Sequence, residues 1–311
     1  QFAVLEITSE GIKQYRHRFI DFDIAVFTNL SPEHIEAHKG FKNYLKAKLD
    51  LFKRTKNIHI INLDDPNAKY FLQIPARRKL GYRIKSKNPK VPNQKFEKIL
   101  EAQNIEIGEE KVNFEVQGVR FSLNLVGEFN VYNALSAICV GVSQGISLEI
   151  CKKALEKIKK VQGRMEVVIE HPFKVIVDYA HTPQALLSVY QFLKEKKEND
   201  LEPKLICVLG ACGGGRDKWK RPVLGKLAKQ YCKEIIITNE DPYDEDPKEI
   251  IKQVAQGTEG KAKEILDRRE AIRTALKVAR PNDIVIITGK GCEPWICVAN
   301  GKKIPWDDRK V

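Results

Sequence analysis

The sequence predicts an α/β protein with largely parallel sheets, built as two domains. Two observations carry this. Short apolar runs that read as buried strands alternate with amphipathic stretches along most of the chain, the pattern of repeated βα units. A length of 311 residues is also enough for two ordinary hydrophobic cores.

In chain order, the predicted strands are Phe2–Ile7, Ile24–Thr28, Ile58–Asn62, Lys174–Asp178, Leu205–Gly210, Glu234–Thr238 and Asp283–Thr288. Each is a short run rich in Ile, Val or Leu, as expected of strands covered on both faces. Helical periodicity marks Phe41–Phe52, Val131–Gln144, Pro183–Lys194, Trp219–Tyr231, Pro247–Ala255 and Arg268–Ala279. Ile105–Leu125 breaks the rhythm by alternating apolar and polar residues, with turn signals at Gly108–Glu110 and Gly118. That pattern predicts a small antiparallel meander. The helical run Cys151–Lys160 ends before a strand that begins at Met165, which places the domain boundary near Val161–Arg164. The expected domains are therefore residues 1–162 and 163–311, with ligands gathered at the carboxyl ends of their strands.

Composition narrows the function classes. Hydrophobic residues make up 42% and charged residues 31%, as in soluble globular proteins. No apolar run approaches the roughly 20 residues needed to span a bilayer, and no basic-then-apolar leader opens the chain. The chain starts at Gln1 rather than Met, and is expected to be most of an enzyme whose front end is missing. A formal charge of +13 suits a polyanionic partner. The lysines, however, are spread out, densest in Lys85–Lys98 and Lys152–Lys160, and lack interleaved aromatics. A solvated basic surface is expected, not a nucleic-acid site or a membrane partner.

Seven scattered cysteines predict reduced thiols and a cytoplasmic protein. Cys207/Cys212 and Cys292/Cys297 share a spacing, but structural zinc uses tighter pairs, so no zinc site is expected.

Some residues invite chemistry. Glu6 closes a predicted strand, His34 follows the next one, and Lys48 lies on the helix after that. Strand ends on one sheet edge can converge, so a carboxylate and an imidazole could share a divalent metal there. Equally, Glu6 can be a strand-end charge, His34 a helix-start residue and Lys48 a solvated lysine. Asn130 and Asn133 open a helix after Gly127 and could simply cap it. The run GACGGGRDKWKRP follows a strand and precedes a helix, so its backbone N–H groups could bind an anion.

Taken in order, VLEITSEGIKQYR, FTNLSPEHIEAH, YLKAKLDLF, GEFNVYNALSA, QGRME, VDYAHTP, GACGGGRDKWKRP, NEDPYDEDP and GKGCE resemble the Mur ligase family. The resemblance runs from Val4 to Arg309. It implies the remainder of a central P-loop-type ATPase domain followed by a Rossmann-like C-terminal ligase domain. The implied activity is ATP-dependent, ADP-forming amide synthesis that adds the third amino acid to UDP-N-acetylmuramoyl-L-alanyl-D-glutamate in peptidoglycan biosynthesis. Its implied requirements are Mg2+, ATP as substrate, the UDP-muramoyl-dipeptide and a free amino acid.

Residue by residue, the resemblance implies that Glu6 and His34 hold magnesium with Lys48, the lysine this family carbamylates. Thr8, Ser9, Gln14 and Arg16 fall where the UDP-muramoyl-dipeptide is gripped, with Thr8 and Glu10 replacing the usual Ser and His. Asn130 and Asn133 would lie beside the adenine, Arg164 at the phosphates and Asp178 near the ribose, with His181 a structural neighbour. Arg216 would meet the carboxylate of the incoming amino acid, and Gly289 and Glu293 its distal end. Cys292 replaces a usual histidine.

Two departures matter. Enzymes of the family that add meso-diaminopimelate carry Asp-Asn-Pro-Arg where this chain has Glu240, Asp241, Pro242 and Tyr243. Tyrosine cannot form the bidentate pair that arginine makes with a far carboxylate, and two acidic side chains lean toward a diamine such as lysine. In addition, no Gly-Lys-Ser or Gly-Lys-Thr occurs anywhere, so the loop that cradles the nucleotide phosphates is lacking. Little ligase activity is expected of these residues alone. The competing readings are another amide ligase of the superfamily and a non-catalytic descendant that binds nucleotide or a partner chain.

Overall fold

The computed structural model describes residues 2–85, 96–194 and 204–311, in two compact units, Gln1–Lys159 and Lys160–Val311. Most of the lysine-dense stretch Lys85–Lys98 lies outside the described residues.

The first unit runs α1 (Ser9–Lys13), β1 (Ile24–Phe27), α2 (Phe41–Arg54), β2 (Ile58–Asn62), α3 (Ala68–Leu72), β3 (Arg78–Ile84), β4 (Lys98–Ile107), β5 (Val112–Val116), β6 (Val119–Leu123), α4 (Glu128–Ser143) and α5 (Leu148–Glu156). Its six strands lie in sequence order, parallel from β1 to β4 and antiparallel from β4 to β6. The meander is thus an extension of the parallel sheet, because β4 begins at Lys98, ahead of the alternating segment.

All five residues of β2 are buried, which explains its unbroken apolar run. Successive side chains take opposite faces. Ile58 and Ile60 join a core with Val131, Leu135 and Ile138 of α4, while Ile61 joins Phe27, Phe52 and Phe71 on the other side. Phe114 and Phe121 face each other across β5 and β6 with ring centroids 5.2 Å apart, which fixes the meander's register.

Phe2–Ile7 forms no strand, contrary to the sequence expectation. A strand needs a ladder partner, and the edge strand β1 pairs with β2 alone. Phe2 and Val4 stay 76% and 92% exposed, leaving apolar surface uncovered.

The second unit contains β7 (Glu166–Ile169), β8 (Lys174–Val177), α6 (Pro183–Lys194), β9 (Leu205–Leu209), α7 (Lys220–Tyr231), β10 (Glu234–Thr238), α8 (Pro247–Gln256), β11 (Ala262–Ile265), α9 (Arg268–Val278), β12 (Ile284–Ile287), β13 (Trp295–Cys297) and β14 (Lys303–Pro305). The main sheet has the order β11-β10-β9-β12-β8-β7, parallel except for β7. The chain steps outward from β9 to β11 and returns to insert β12 between β9 and β8. Such a reversal opens a crevice at the strands' carboxyl ends. Asp178, Gly210, Glu240 and Gly289 all follow strand ends on that edge.

Among the described residues, no helix is long and apolar enough to cross a membrane.

Candidate functional site

In the first unit, α1 opens with Thr8, whose Oγ1 accepts from Gly11 N at 3.0 Å, and closes at Gln14. Helix α2 carries the half-buried Lys48, whose Nζ donates to Ile7 O at 3.4 Å. Burial lowers the pKa of this amine, and the nearby Glu6 carboxylate opposes the shift. Glu6 and Lys48 therefore share one electrostatic field. His34 sits in a left-handed backbone conformation, φ 57°, with Nδ1 3.5 Å from a Glu10 carboxylate oxygen. Among the described residues, no three His, Cys, Asp or Glu side chains gather as a metal cage.

Ser9 is buried, with Oγ 3.1 Å from His38 Nε2, so this hydroxyl belongs to the packing of α1. Gln14 and Arg16 are exposed. His38 was missed by the sequence reading; its only signal was a place in the same His-containing segment as His34.

Asn130 does not act as a cap for N–H groups. Its Nδ2 donates to Val126 O at 2.8 Å and its Oδ1 accepts from Asn133 Nδ2 at 3.0 Å, so the two amides form one polar cluster at the start of α4. The adjacent Tyr132 donates to Asp64 Oδ2 at 2.9 Å, an oxygen that also accepts from Ile84 N at 2.7 Å. Asp65 Oδ2 accepts from Leu30 N at 2.8 Å. Asp64 and Asp65 thus tie the loop after β1 and the end of β3 to α4, a role that their place just after β2 could have suggested.

In the second unit, Asp178 accepts from Met165 N and Ala180 N, each at 2.7 Å. Burial raises its pKa against these two bonds. Each oxygen thereby accepts one N–H of the neighbouring turn and fixes it. That turn carries Arg164, whose guanidinium lies 4.5 Å from the Tyr179 ring centroid. His181 Nδ1 lies 2.8 Å from Tyr179 O, a local structural contact.

The glycine-rich loop docks on the acidic segment through Gly213 N, which donates to Asp241 O at 2.8 Å. Gly214 and Gly215 adopt φ of 63° and 77°, and a Cβ at Gly214 would run into the Tyr243 ring. Arg216 follows, partly buried. Tyr243 is also left-handed, φ 51°, held by its N–H to Cys297 O at 3.1 Å, and burial pushes its phenol up to about 12.

The acidic pair behaves differently from two free carboxylates. Glu240 is buried; Oε1 accepts from the Cys212 thiol at 2.8 Å, and Oε2 has no hydrogen-bond partner among the described residues. A Cβ at Gly289 would overlap that oxygen. Asp241 is fully engaged, with Oδ2 accepting from Lys290 Nζ at 2.8 Å and Oδ1 from Cys297 N at 2.7 Å. Lys290 also donates to Glu293 Oε2 at 2.6 Å, and Tyr179 OH donates to Glu293 Oε1 at 2.7 Å. Burial opposes the charge on Lys290, but the two carboxylates outweigh it and raise its pKa. Glu293 is likewise held below the usual carboxylate range against its own desolvation.

Sequence reasoning gave Lys290 no role. Its signal was a lysine set between glycines at the end of an apolar strand. Cys292 is exposed, and all seven cysteines are free thiols.

Residues 1–141 match the Mur ligase middle domain, and residues 163–291 match the Mur ligase glutamate ligase domain. A protein of Syntrophomonas wolfei named UDP-N-acetylmuramoyl-L-alanyl-D-glutamate--2,6-diaminopimelate ligase is 37% identical over all of this chain and 63% of its own length. One of the same name from Aquifex aeolicus is 37% identical over 99% of this chain and 62% of its own. The chain thus spans less than two thirds of these relatives. A solved structure of a UDP-N-acetylmuramoyl-L-alanyl-D-glutamate--2,6-diaminopimelate ligase is 32% identical, covers 97% of this chain and 61% of its own, and gives a TM-score of 0.53. A pseudomurein peptide ligase type C from Methanothermus fervidus shares the fold, with a TM-score of 0.69 at 20% identity over 92% of this chain and 64% of its own.

Proposed function

The chain belongs to the Mur ligase family, and from that premise we propose that it carries the catalytic part of an ATP-dependent ligase. The reaction joins a free amino acid to UDP-N-acetylmuramoyl-L-alanyl-D-glutamate. The observation that carries this reading is the charged constellation of Asp241, Lys290, Glu293 and Tyr179 at the carboxyl edge of a parallel sheet. Relatives named for this reaction match both units.

The chemistry begins with transfer of the γ-phosphoryl group of ATP to the dipeptide's terminal carboxylate, giving an acyl phosphate and ADP. The amine of the incoming amino acid then attacks the acyl carbon, phosphate leaves, and an amide forms. Asn130 and Asn133 provide amide donors and acceptors suited to the adenine edge. Arg164, exposed beside Tyr179, supplies positive charge for the phosphates, and Asp178 fixes the turn that presents it. Thr8, Gln14 and Arg16 offer donors for the UDP-muramoyl-dipeptide.

Arg216 pairs with the amino acid's carboxylate, and Glu293 and the Gly289 backbone receive its distal end. Lys290 bonds both Asp241 and Glu293, but Asp241 is 6% exposed and Glu293 37%, so Glu293, with the Glu240 oxygen that has no partner among the described residues, is the carboxylate placed to meet a distal ammonium. Tyr243 gives no bidentate partner for a distal carboxylate. A distal ammonium is common to lysine and to the diaminopimelate named for the relatives.

Magnesium, when bound, screens the negative charges of the phosphates and the reacting carboxylate. Glu6, His34 and Lys48 are the residues proposed to hold it. Unmodified Lys48 is no ligand for a cation; a carbamate on its amine would add a further anionic oxygen to that of Glu6. Its burial favours the neutral amine that reacts with carbon dioxide.

Because no Gly-Lys-Ser or Gly-Lys-Thr is present, phosphoryl positioning is impaired in these 311 residues alone. The test is mass detection of the UDP-muramoyl-tripeptide, with lysine and meso-diaminopimelate offered separately. Product is expected once a phosphate-binding loop is fused ahead of Gln1, and little without it. No product from the fused protein with any amino acid would refute the assignment.

A further inference from the structure

We propose that Lys290 is a positioning residue for the amino-acid substrate: it fixes the orientation of Glu293 and sets the charge of the pocket that receives the distal ammonium. This rests on the reading of the second unit's carboxyl edge as the amino-acid site.

The Lys290 side chain is 1% exposed, and its ammonium bridges Asp241, itself 6% exposed, to Glu293, which is 37% exposed. Only the outer end of this chain of charges reaches solvent, and it ends in a carboxylate. Tyr179, from the loop after β8, holds the other Glu293 oxygen. Each Glu293 oxygen therefore has one donor from the protein and keeps lone-pair capacity for a ligand N–H. Pinned at both oxygens, the carboxylate has a single orientation before any ligand arrives, which reduces the ordering cost of binding.

Charge gives the second half. Asp241, Glu293 and Lys290 sum to one negative charge, to which the neighbouring Glu240 adds a second. Without Lys290 the three carboxylates stand uncompensated within this cluster, and Asp241 keeps only the Cys297 N–H as a hydrogen-bond donor. Lys290 also links two loops, because Asp241 follows β10 while Lys290 and Glu293 follow β12. Gly289, just before Lys290, leaves room for the partnerless Glu240 oxygen, so the two acids of the pocket are placed from one short segment.

The experiment is calorimetric titration of L-lysine and of meso-diaminopimelate into the 311-residue chain, as wild type, Lys290→Met, Lys290→Arg and the double variant Asp241→Asn/Lys290→Met. The double variant removes the buried carboxylate that Lys290→Met alone would strand. It therefore stays informative where the single change fails to fold. Wild type is expected to bind at least one of the two, and both Met variants to bind it at least tenfold more weakly. Lys290→Arg is expected to recover affinity to within about threefold. The 13C titration of the Glu293 carboxyl should move upward in the Met variants and stay low in Lys290→Arg.

A folded Met variant that binds as tightly as wild type, with Glu293 titrating unchanged, would overturn the positioning role and leave the amino-acid site standing. Failure of wild type to bind either amino acid would overturn the reading of the site and this proposal with it.

Discussion

Arg268→Met removes the guanidinium that fastens the C-terminal segment to the carboxyl edge of the second unit's sheet, where the amino-acid site is proposed. Arg268 is 2% exposed and Asp308 4%. The guanidinium donates through Nε to Asp308 Oδ1 at 2.8 Å and through Nη2 to Oδ2 at 2.7 Å, a bidentate pair. It also reaches Thr288 O at 2.9 Å and Asn239 O at 3.3 Å, the residues just before Gly289 and Glu240. Breaking such a buried pair from one side strands the other charge and costs about 3–5 kcal/mol. At about 4 kcal/mol, the unit's folded-to-unfolded ratio falls roughly a thousandfold.

Replacing both partners, as in Arg268→Met/Asp308→Asn, removes the stranded charge and should recover much of that loss. Trp306 Nε1, which donates to Asp308 Oδ1 at 2.7 Å, keeps an acceptor in the double variant. The assay is urea unfolding followed by tryptophan fluorescence, since Trp219, Trp295 and Trp306 all lie in this unit, with the four proteins of a double-mutant cycle. A loss below about 1 kcal/mol for Arg268→Met, or losses that simply add in the double variant, would refute the buried-pair argument.

Other perturbations are equally direct. Gly289→Ala must hold φ 104° and push its methyl against Glu240; a cost of about 1–3 kcal/mol is expected in the second unit's unfolding, with amino-acid binding lost as Glu240 is displaced. Acid should weaken the same unit. Desolvation opposes ionisation of Glu166, but Lys160 and the Gly163 N–H, at 2.8 Å each, hold its carboxyl below the unfolded value of 4.5. Glu293 is shifted the same way. A lowered acid pKa contributes stability that is complete above 4.5 and is lost as pH falls through the folded value. Unfolding midpoints measured from pH 7 down to about 3 should therefore drop below 4.5, and Glu166→Gln should flatten that slope. Cys292 is the one exposed thiol among the seven, so a thiol reagent should label it first, and Cys292→Ser should remove the fast phase.

Where residues repeat a physical pattern, the fold was readable in advance. Ile58–Asn62 and Glu234–Thr238 are strands over those very residues, and Pro183–Lys194 is a helix over its full predicted length, because dense apolar runs and helical periodicity report burial directly. The misses have the opposite character. Arg78–Ile84 and Ala262–Ile265 carry Arg, Lys and Glu among their apolar residues and are held as strands by their neighbours in the sheet. Phe2–Ile7 erred the other way, since an apolar run without a ladder partner has no reason to extend into a strand.

At the site, Glu240 and Asp241 were legible as an acidic pair, but not their division of labour. Only the folded chain brings Lys290, some fifty positions later, onto Asp241 and leaves one Glu240 oxygen without a partner among the described residues. Sequence spacing says little about which buried charge meets which, because that choice is made by loops from different strands. In the opening segment, Glu6, His34 and Lys48 were named together from sequence; in the structure the Glu6 carboxylate raises the pKa of Lys48 against its burial, and His34 Nδ1 lies 3.5 Å from a Glu10 carboxylate oxygen.

In the proposed metal site the amine of Lys48 becomes an anionic ligand alongside Glu6 and His34. The most direct test is 13C NMR of the protein equilibrated with 13C-labelled carbon dioxide, with Mn2+ added in place of Mg2+. A carbamate resonance is predicted in wild type, absent in Lys48→Arg, and broadened by Mn2+ only while Glu6 is intact. A spectrum without that resonance, or one that Mn2+ leaves untouched, contradicts the proposed metal site.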